Sequence, residues 1–151
     1  LWRLDMRFSG GWSWGDIPPQ RFFSLESSIA STAGDGVLRG MNVKEFYGDR
    51  FAALSLEHSF GEVIPGVLRI PSIASFGIEF ILTGSLAWTD FSQGARLLQA
   101  LPSTAQTQDI YYYEAGIALN RILLFFRVDF SARMSQRITP EYRFTISSAS
   151  F

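Results

Sequence analysis

The constraint that most narrows the fold of this chain is a strict period of two in where charge is allowed. From Trp2 the even positions read Trp2, Leu4, Met6, Phe8, Gly10, Trp12 and Trp14, while the odd ones read Arg3, Asp5, Arg7, Ser9, Gly11 and Ser13. A β-strand sends alternate side chains to opposite faces, so residues 2–14 read as a strand with one aromatic and aliphatic face and one ionic face. A helix of 3.6 residues per turn would scatter the same residues around its axis. The pattern returns near the other end, where Leu124, Phe126, Val128, Phe130, Ala132 and Met134 alternate with Phe125, Arg127, Asp129, Ser131 and Arg133.

Four more strands are in phase between and after these two. Over residues 50–60, Leu54, Leu56 and Phe60 oppose Ser55, Glu57 and Ser59; over 75–88, Phe76, Ile78, Phe80, Leu82, Leu86 and Trp88 oppose Glu79, Ile81, Thr83, Ser85 and Ala87. A strand spans 110–119, and a last one spans 142–151, where Tyr142, Phe144 and Ile146 share a face before serines end the pattern. The fold class is therefore all-β, with about six antiparallel strands. The connections differ in length: 15–49 and 89–109 are long, 61–72 with Pro65 and Pro71 is moderate, and Asn120-Arg121 reads as a tight turn. The long ones fall on one rim, and short turns opposite long loops are the usual asymmetry of outer-membrane barrels.

Alternation alone does not say which face meets water. A soluble lipocalin-like ligand-binding barrel shows the same period with its apolar face inward. Strands of ten or so residues, aromatic residues at strand ends (Trp2, Trp12, Trp14, Trp88, Tyr112) and the long 15–49 loop favour a transmembrane β-barrel instead. A transmembrane helix is excluded, because the longest apolar run is residues 122–126. Unpaired edges are intolerable in lipid and the smallest common barrels have eight strands, so six cannot close a barrel there. Residues 1–151, which open Leu1-Trp2-Arg3 without a charged leader, are thus expected to be the C-terminal part of a single larger barrel domain whose N-terminal remainder is absent.

Composition removes most chemistry. With 13 basic and 14 acidic residues and no basic run, nothing gathers a polyanion, and no nucleic-acid partner is expected. There is no cysteine, one histidine (His58) and no phosphate-cradling glycine loop, so no catalytic, cofactor or metal residue is assigned and no enzyme is expected. Glu57, Glu79 and Glu114 lie on polar strand faces, but a paired-carboxylate hydrolase needs two such groups converging within roughly 5 to 10 Å and a second catalytic element. His58 sits on the apolar phase near a strand end, which suits a membrane interface. Asp16, Asp35 and Asp49 stand among glycines at spacings that match no calcium loop and read as turn formers. Arg127, Asp129 and Arg133 read as a ladder lining a wet lumen. Phe151 suits a terminal assembly signal yet is out of phase with Tyr142, Phe144 and Ile146.

One run of residues carries a family likeness. Leu38-Arg39-Gly40-Met41, then Glu45-Phe46, Gly48-Asp49-Arg50 and Ser55-Leu56-Glu57-His58-Ser59-Phe60, resembles the sixth-loop region and next strand of the surface-antigen barrel superfamily, which includes the BAM and TAM insertases. With Tyr112-Tyr113-Glu114-Ala115-Gly116 and Arg127-Val128-Asp129, the chain also resembles a Bacteroidota branch of unknown function, whose barrels follow a carboxypeptidase-regulatory-like β-sandwich. The resemblance covers most of residues 15–135. It implies that the loop is extracellular in origin and folds back into the lumen, anchored at Arg39 and Gly40. It further implies that Arg39 pairs with an acidic residue of the wall, and Gly34-Asp35-Gly36 gives the loop a flexible approach. The superfamily's Phe-x-Asp-x-Gly motif would fall on Phe80–Gly84, where Leu82 replaces the acid, leaving Glu57, Glu79 and Glu114 as candidate partners. The function so implied is work in outer-membrane protein assembly or envelope biogenesis, in contact with outer-membrane lipids and in complex with other outer-membrane or periplasmic proteins. A structural or binding barrel plugged by its loop is the alternative.

Overall fold

The structure is a computed structural model that describes residues 2–15, 18, 21–25, 38–41, 45–61, 63, 67, 77–92, 111–135 and 138–149. It is all-β. The strands are β1 (Arg3–Trp12), β2 (Phe23–Ser24), β3 (Tyr47–Gly48), β4 (Arg50–Ser59), β5 (Glu79–Asp90), β6 (Tyr112–Ile122), β7 (Phe126–Ser135) and β8 (Ile138–Ser148). Six of them form one antiparallel sheet in the order β1-β4-β5-β6-β7-β8, and β2 pairs with β3 separately. The large sheet is open, with β1 and β8 as its edges. No helix among the described residues is long and apolar enough to cross a membrane.

Because the side-chain period is two, register carries each strand's alternation across the whole sheet. One face carries the row Leu4, His58, Leu82, Ile117, Phe130, Phe144, and Phe8, Leu54 and Leu86 lie on that same face. The other carries Arg7, Ser55, Ser85, Glu114, Arg133 and Glu141, next to the row Asp5, Glu57, Thr83, Gly116, Ser131, Arg143. The burial of these two faces is the reverse of an ordinary soluble protein's. Met6, Phe8, Leu82, Phe130 and Phe144 are exposed, whereas Arg39, Arg127, Arg133, Asp129 and Glu114 are buried.

The cover over the polar face is the segment between β1 and β4. Its own short ladder, β2 with β3, is continued by the Leu25 amide donating to the Phe46 carbonyl at 3.4 Å. Leu25, Leu38, Met41 and Phe46 then pack on Ala87 and Tyr112, with Phe51 and Ala53 against them, making a small apolar core between segment and sheet. Gly48 makes the return possible: a Cβ there would lie 2.6 Å from the Asp90 carbonyl oxygen and 2.7 Å from that of Arg50. Asp49 is buried beside it. Its carboxylate accepts the Ser92 amide at 2.9 and 3.0 Å and its carbonyl accepts the Ser13 amide at 2.9 Å, tying together the rim ends of β1, β4 and β5.

Several boundaries differ from the sequence reading. The tight turn is not at Asn120-Arg121, which remain in β6; the chain turns at residues 123–125. The reason is Glu79, which accepts from Asn120 Nδ2 at 3.1 Å and pairs with Arg121 at 3.1 Å, holding the end of β6 on β5. The turn then falls on bulky residues, with Leu123 and Leu124 at φ of 49° and 70°. Leu124 is thus a turn residue, not a member of the β7 face. β5 starts at Glu79, after Gly77 at φ 66°, and β8 starts at Ile138, earlier than the apolar pattern alone suggests. Trp2, Trp12 and Trp14 are exposed at the ends of β1, but Tyr112 is buried on the polar face while Tyr111 is the exposed one. The readings of Asp16, Gly34, Asp35, Gly36, Pro65, Pro71, Phe76 and Phe151 fall outside the described residues.

Candidate functional site: an ionic loop anchor

The site is where residues 38–41 touch the polar face. Arg39 is 2% exposed, and its side chain lies between two strands: Nη2 donates to Glu57 Oε1 of β4 at 2.7 Å, and Nε is 2.9 Å from Asp129 Oδ1 of β7. Arg127 faces the same two carboxylates. Its Nη1 donates to Glu57 Oε2 at 2.8 Å, Nη2 to Asp129 Oδ1 at 2.9 Å, and Nε to both Asp129 oxygens at 3.1 Å. Two guanidinium groups and two carboxylates make a neutral quartet. That balance matters because a buried charge without its partner costs several kcal/mol, about 3–5 in most cases.

The quartet spans three strand spacings, about 14 Å at 4.8 Å each, and only the longest side chains bridge such a gap. The sequence permits it because the row that leads from Glu57 across the covered face carries short residues: Thr83 on β5, Gly116 on β6, Ser131 on β7. Over that low floor, Arg127 reaches Glu57 across two intervening strands.

Glu114 grips the loop differently. Its Oε1 accepts the Arg39 amide at 2.8 Å and its Oε2 the Gly40 amide at 2.6 Å, while the Tyr112 hydroxyl donates to Oε2 at 2.6 Å. A carboxylate seated in consecutive backbone N–H groups is a charge-assisted contact, stronger than a neutral hydrogen bond. It requires glycine at position 40. A Cβ there would lie 2.9 Å from Glu114 Oε2, 2.9 Å from the Tyr112 hydroxyl and 3.0 Å from Arg133 Cβ.

A third contact fastens the returning part of the loop. Arg133 meets Glu45 at 2.7 and 3.0 Å, and its guanidinium lies 5.4 Å from the Phe46 ring centroid and 5.3 Å from that of Tyr112. Arg143 of β8 donates to the Met41 carbonyl at 2.9 Å and stands 3.5 Å from that of Arg39.

Of the residues singled out in the sequence, the structure brings together Arg39, Gly40, Glu57, Glu114, Arg127 and Asp129, with Arg133 beside them. Glu79 is elsewhere, on Arg121 and Asn120 at the opposite rim, and does not serve as a partner of Arg39. Asp129, read only as lumen-lining, is a direct partner of Arg39. Glu45, Tyr112 and Arg143 also belong to the anchor. Their polar phase was a usable signal for Tyr112 and Arg143, since Tyr112 is two residues from Glu114 and Arg143 alternates with Tyr142 and Phe144. His58 is on the open face with its ring 6.0 Å from Trp2 and 4.5 Å from Phe60.

Chemically, the arrangement is a lock. Glu57 and Asp129 direct their oxygens to guanidinium groups, and Glu114 directs its oxygens to the loop backbone and Tyr112. Among the described residues, no group of three or more His, Cys, Asp and Glu side chains is placed to hold a metal ion. Compared with known proteins, the chain matches no family model, no curated protein and no solved structure.

Proposed function

We propose that this chain forms part of the wall of a transmembrane β-barrel in the bacterial outer membrane, of insertase-like architecture, whose long loop folds into the lumen and plugs it. The protein works in outer-membrane protein assembly or envelope biogenesis beside other outer-membrane or periplasmic proteins. The observation that carries the reading is the inversion of burial: the sheet's apolar face is open, while the ionic residues Glu57, Glu114, Arg127, Asp129 and Arg133 of β4, β6 and β7 are covered. Each large apolar side chain left in water forgoes about 1.5–3 kcal/mol of burial, so a face holding Met6, Phe8, Leu82, Phe130 and Phe144 is a costly surface in water and a favourable one in lipid. A soluble ligand-binding barrel needs the opposite arrangement.

Closure in lipid requires further strands on the β1 and β8 edges, and this sheet is taken as one arc of such a barrel. The insertase-like part of the reading is supported by the likeness of the Leu38-Arg39-Gly40-Met41 run and by the seat of that run on the wall. Barrels of one architecture serve unrelated roles, so the work itself is assigned by experiment. The test is to deplete the protein and follow folding of other barrels in the same membrane, with affinity purification of the intact protein in mild detergent. Slowed barrel assembly and a stable outer-membrane or periplasmic partner support the reading. Unchanged assembly with no partner favours a plugged structural or binding barrel. That alternative has its own support in the many bonds that fix the loop to β4, β6, β7 and β8.

A further inference from the structure

Among the described residues the edge strand β8 has one strand neighbour, β7, and their ladder shifts register between Arg133 and Ser135. One ion pair between β8 and β7 on the covered face is long: Glu141, 54% exposed, stands 3.8 Å from Arg133. The tighter contact is with the loop. Arg143 reaches two carbonyls of residues 39–41 from one side, while Glu114 holds two amides of the same residues from the other. The loop side chain Arg39 continues the chain of bonds to β4 and β7. On the β1 side the fit is looser, and a cavity of about 290 Å³ lined by Arg7, Ser9, Leu25, Leu38 and Ser55 lies there.

We propose that residues Arg39 to Met41 are a strap that couples the seating of the loop to the anchoring of edge strand β8, with Arg143 as the positioning residue that transmits the coupling. The strap rests on the docked-loop part of the reading above. It makes the firmness of β8 depend on a segment that is remote from it in sequence. Lifting the loop then loosens β8 without any change in the β7–β8 ladder residues, and more than it loosens β4, which loses the Arg39–Glu57 contact but keeps a ladder on both sides.

The test uses the intact protein in detergent micelles, with any cysteine outside residues 1–151 replaced, and has two readouts. Because the chain has no cysteine, Met41→Cys supplies a unique thiol at a buried loop position, and its rate of labelling by a polar maleimide reports docking. Hydrogen exchange reports β8. Gly40→Ala, which lifts the strap by collision with Glu114 and Tyr112, is expected to speed both labelling of the introduced thiol and amide exchange in Ile138–Ser148, with a smaller effect on Arg50–Ser59. Arg143→Gln is expected to speed β8 exchange about tenfold, the loss of one hydrogen bond to a charged group, and Arg143→Lys to recover part of it. The double variant should add nothing beyond the larger single effect. Arg143→Gln keeps the test open if Gly40→Ala does not fold. Fast labelling of the introduced thiol in the otherwise unchanged chain overturns the docked loop and the strap together. Slow labelling, released by Gly40→Ala with β8 exchange unmoved, overturns the strap alone.

Discussion

The two faces of β7 obey opposite rules although they alternate residue by residue. Arg127 and Asp129 are each 1% exposed, while Phe126 and Phe130 are 49% and 46% exposed. The charged face is tolerable because the large costs of desolvation on it are met by named partners: Glu57 and Asp129 for Arg127, Glu45 for Arg133. The apolar face has no such cover among the described residues. One face is solved by the protein alone and the other by whatever surrounds it, and that asymmetry is what the membrane reading explains.

A second contrast lies along the polar face. Glu57 and Glu79 occupy the same face on adjacent strands, yet Glu57 is locked between two arginines under the loop and Glu79 sits with Arg121 at the far rim. Strand phase is common to both. What differs is whether the loop reaches them.

Four substitutions break or sharpen these contrasts. The largest effect is expected for Asp129→Ala, which takes from Arg39 and Arg127 one of the two carboxylates they share; breaking a buried pair this way costs about 3–5 kcal/mol, read from denaturant unfolding in micelles or vesicles. Next is Phe130→Arg on the open face. In a bilayer it is expected to cost about 2–4 kcal/mol if the position is near mid-membrane, and much less in water, so a loss of that size confined to lipid singles out the open face. Third, Arg39→Lys keeps the charge but loses the fork that spans Glu57 and Asp129, with an expected cost of about 1.5–3 kcal/mol and faster proteolysis of the loop. The smallest is Arg121→Ala at the far rim. Its pair with Glu79 is partly exposed, and the expected loss is about 0–1 kcal/mol by the same unfolding measurement.

The six strands of the large sheet and their faces are legible because a period of two is a local property: β7 announces Arg127, Asp129 and Arg133 as one side without reference to any neighbour, whereas the two-residue β2 and β3 fall inside the stretch that reads as a loop. The partner of Arg39 is not legible. Alternation places Glu57, Glu79, Glu114 and Asp129 on the same face but leaves open which strands lie adjacent and in what register, and the quartet depends on both. Leu82, where the pattern that the chain resembles has an acid, does not show that β4 and β7 supply the acids that meet Arg39. The turn was missed for a related reason. Asn120 and Arg121 have turn chemistry locally, but Glu79 holds Asn120 in the ladder and pairs with Arg121, and a contact between β5 and β6 is invisible along the sequence. The exposed Leu123, Leu124 and Phe125 take the turn instead, at the cost of left-handed backbone at Arg121, Leu123 and Leu124.

The most direct measurement is a nitroxide scan along β7, one label at a time from Phe126 to Met134, in the protein reconstituted into lipid vesicles. Access to oxygen, which concentrates in the bilayer, and to a polar nickel relaxant is compared at each site. If the open face lies against lipid, labels at Phe126, Val128, Phe130, Ala132 and Met134 are relaxed strongly by oxygen and weakly by nickel. Labels at Arg127, Asp129, Ser131 and Arg133 then lose the oxygen preference, giving an oscillation of period two. Loss of that oscillation, or the reverse phase, contradicts a lipid-facing apolar surface and the membrane reading with it.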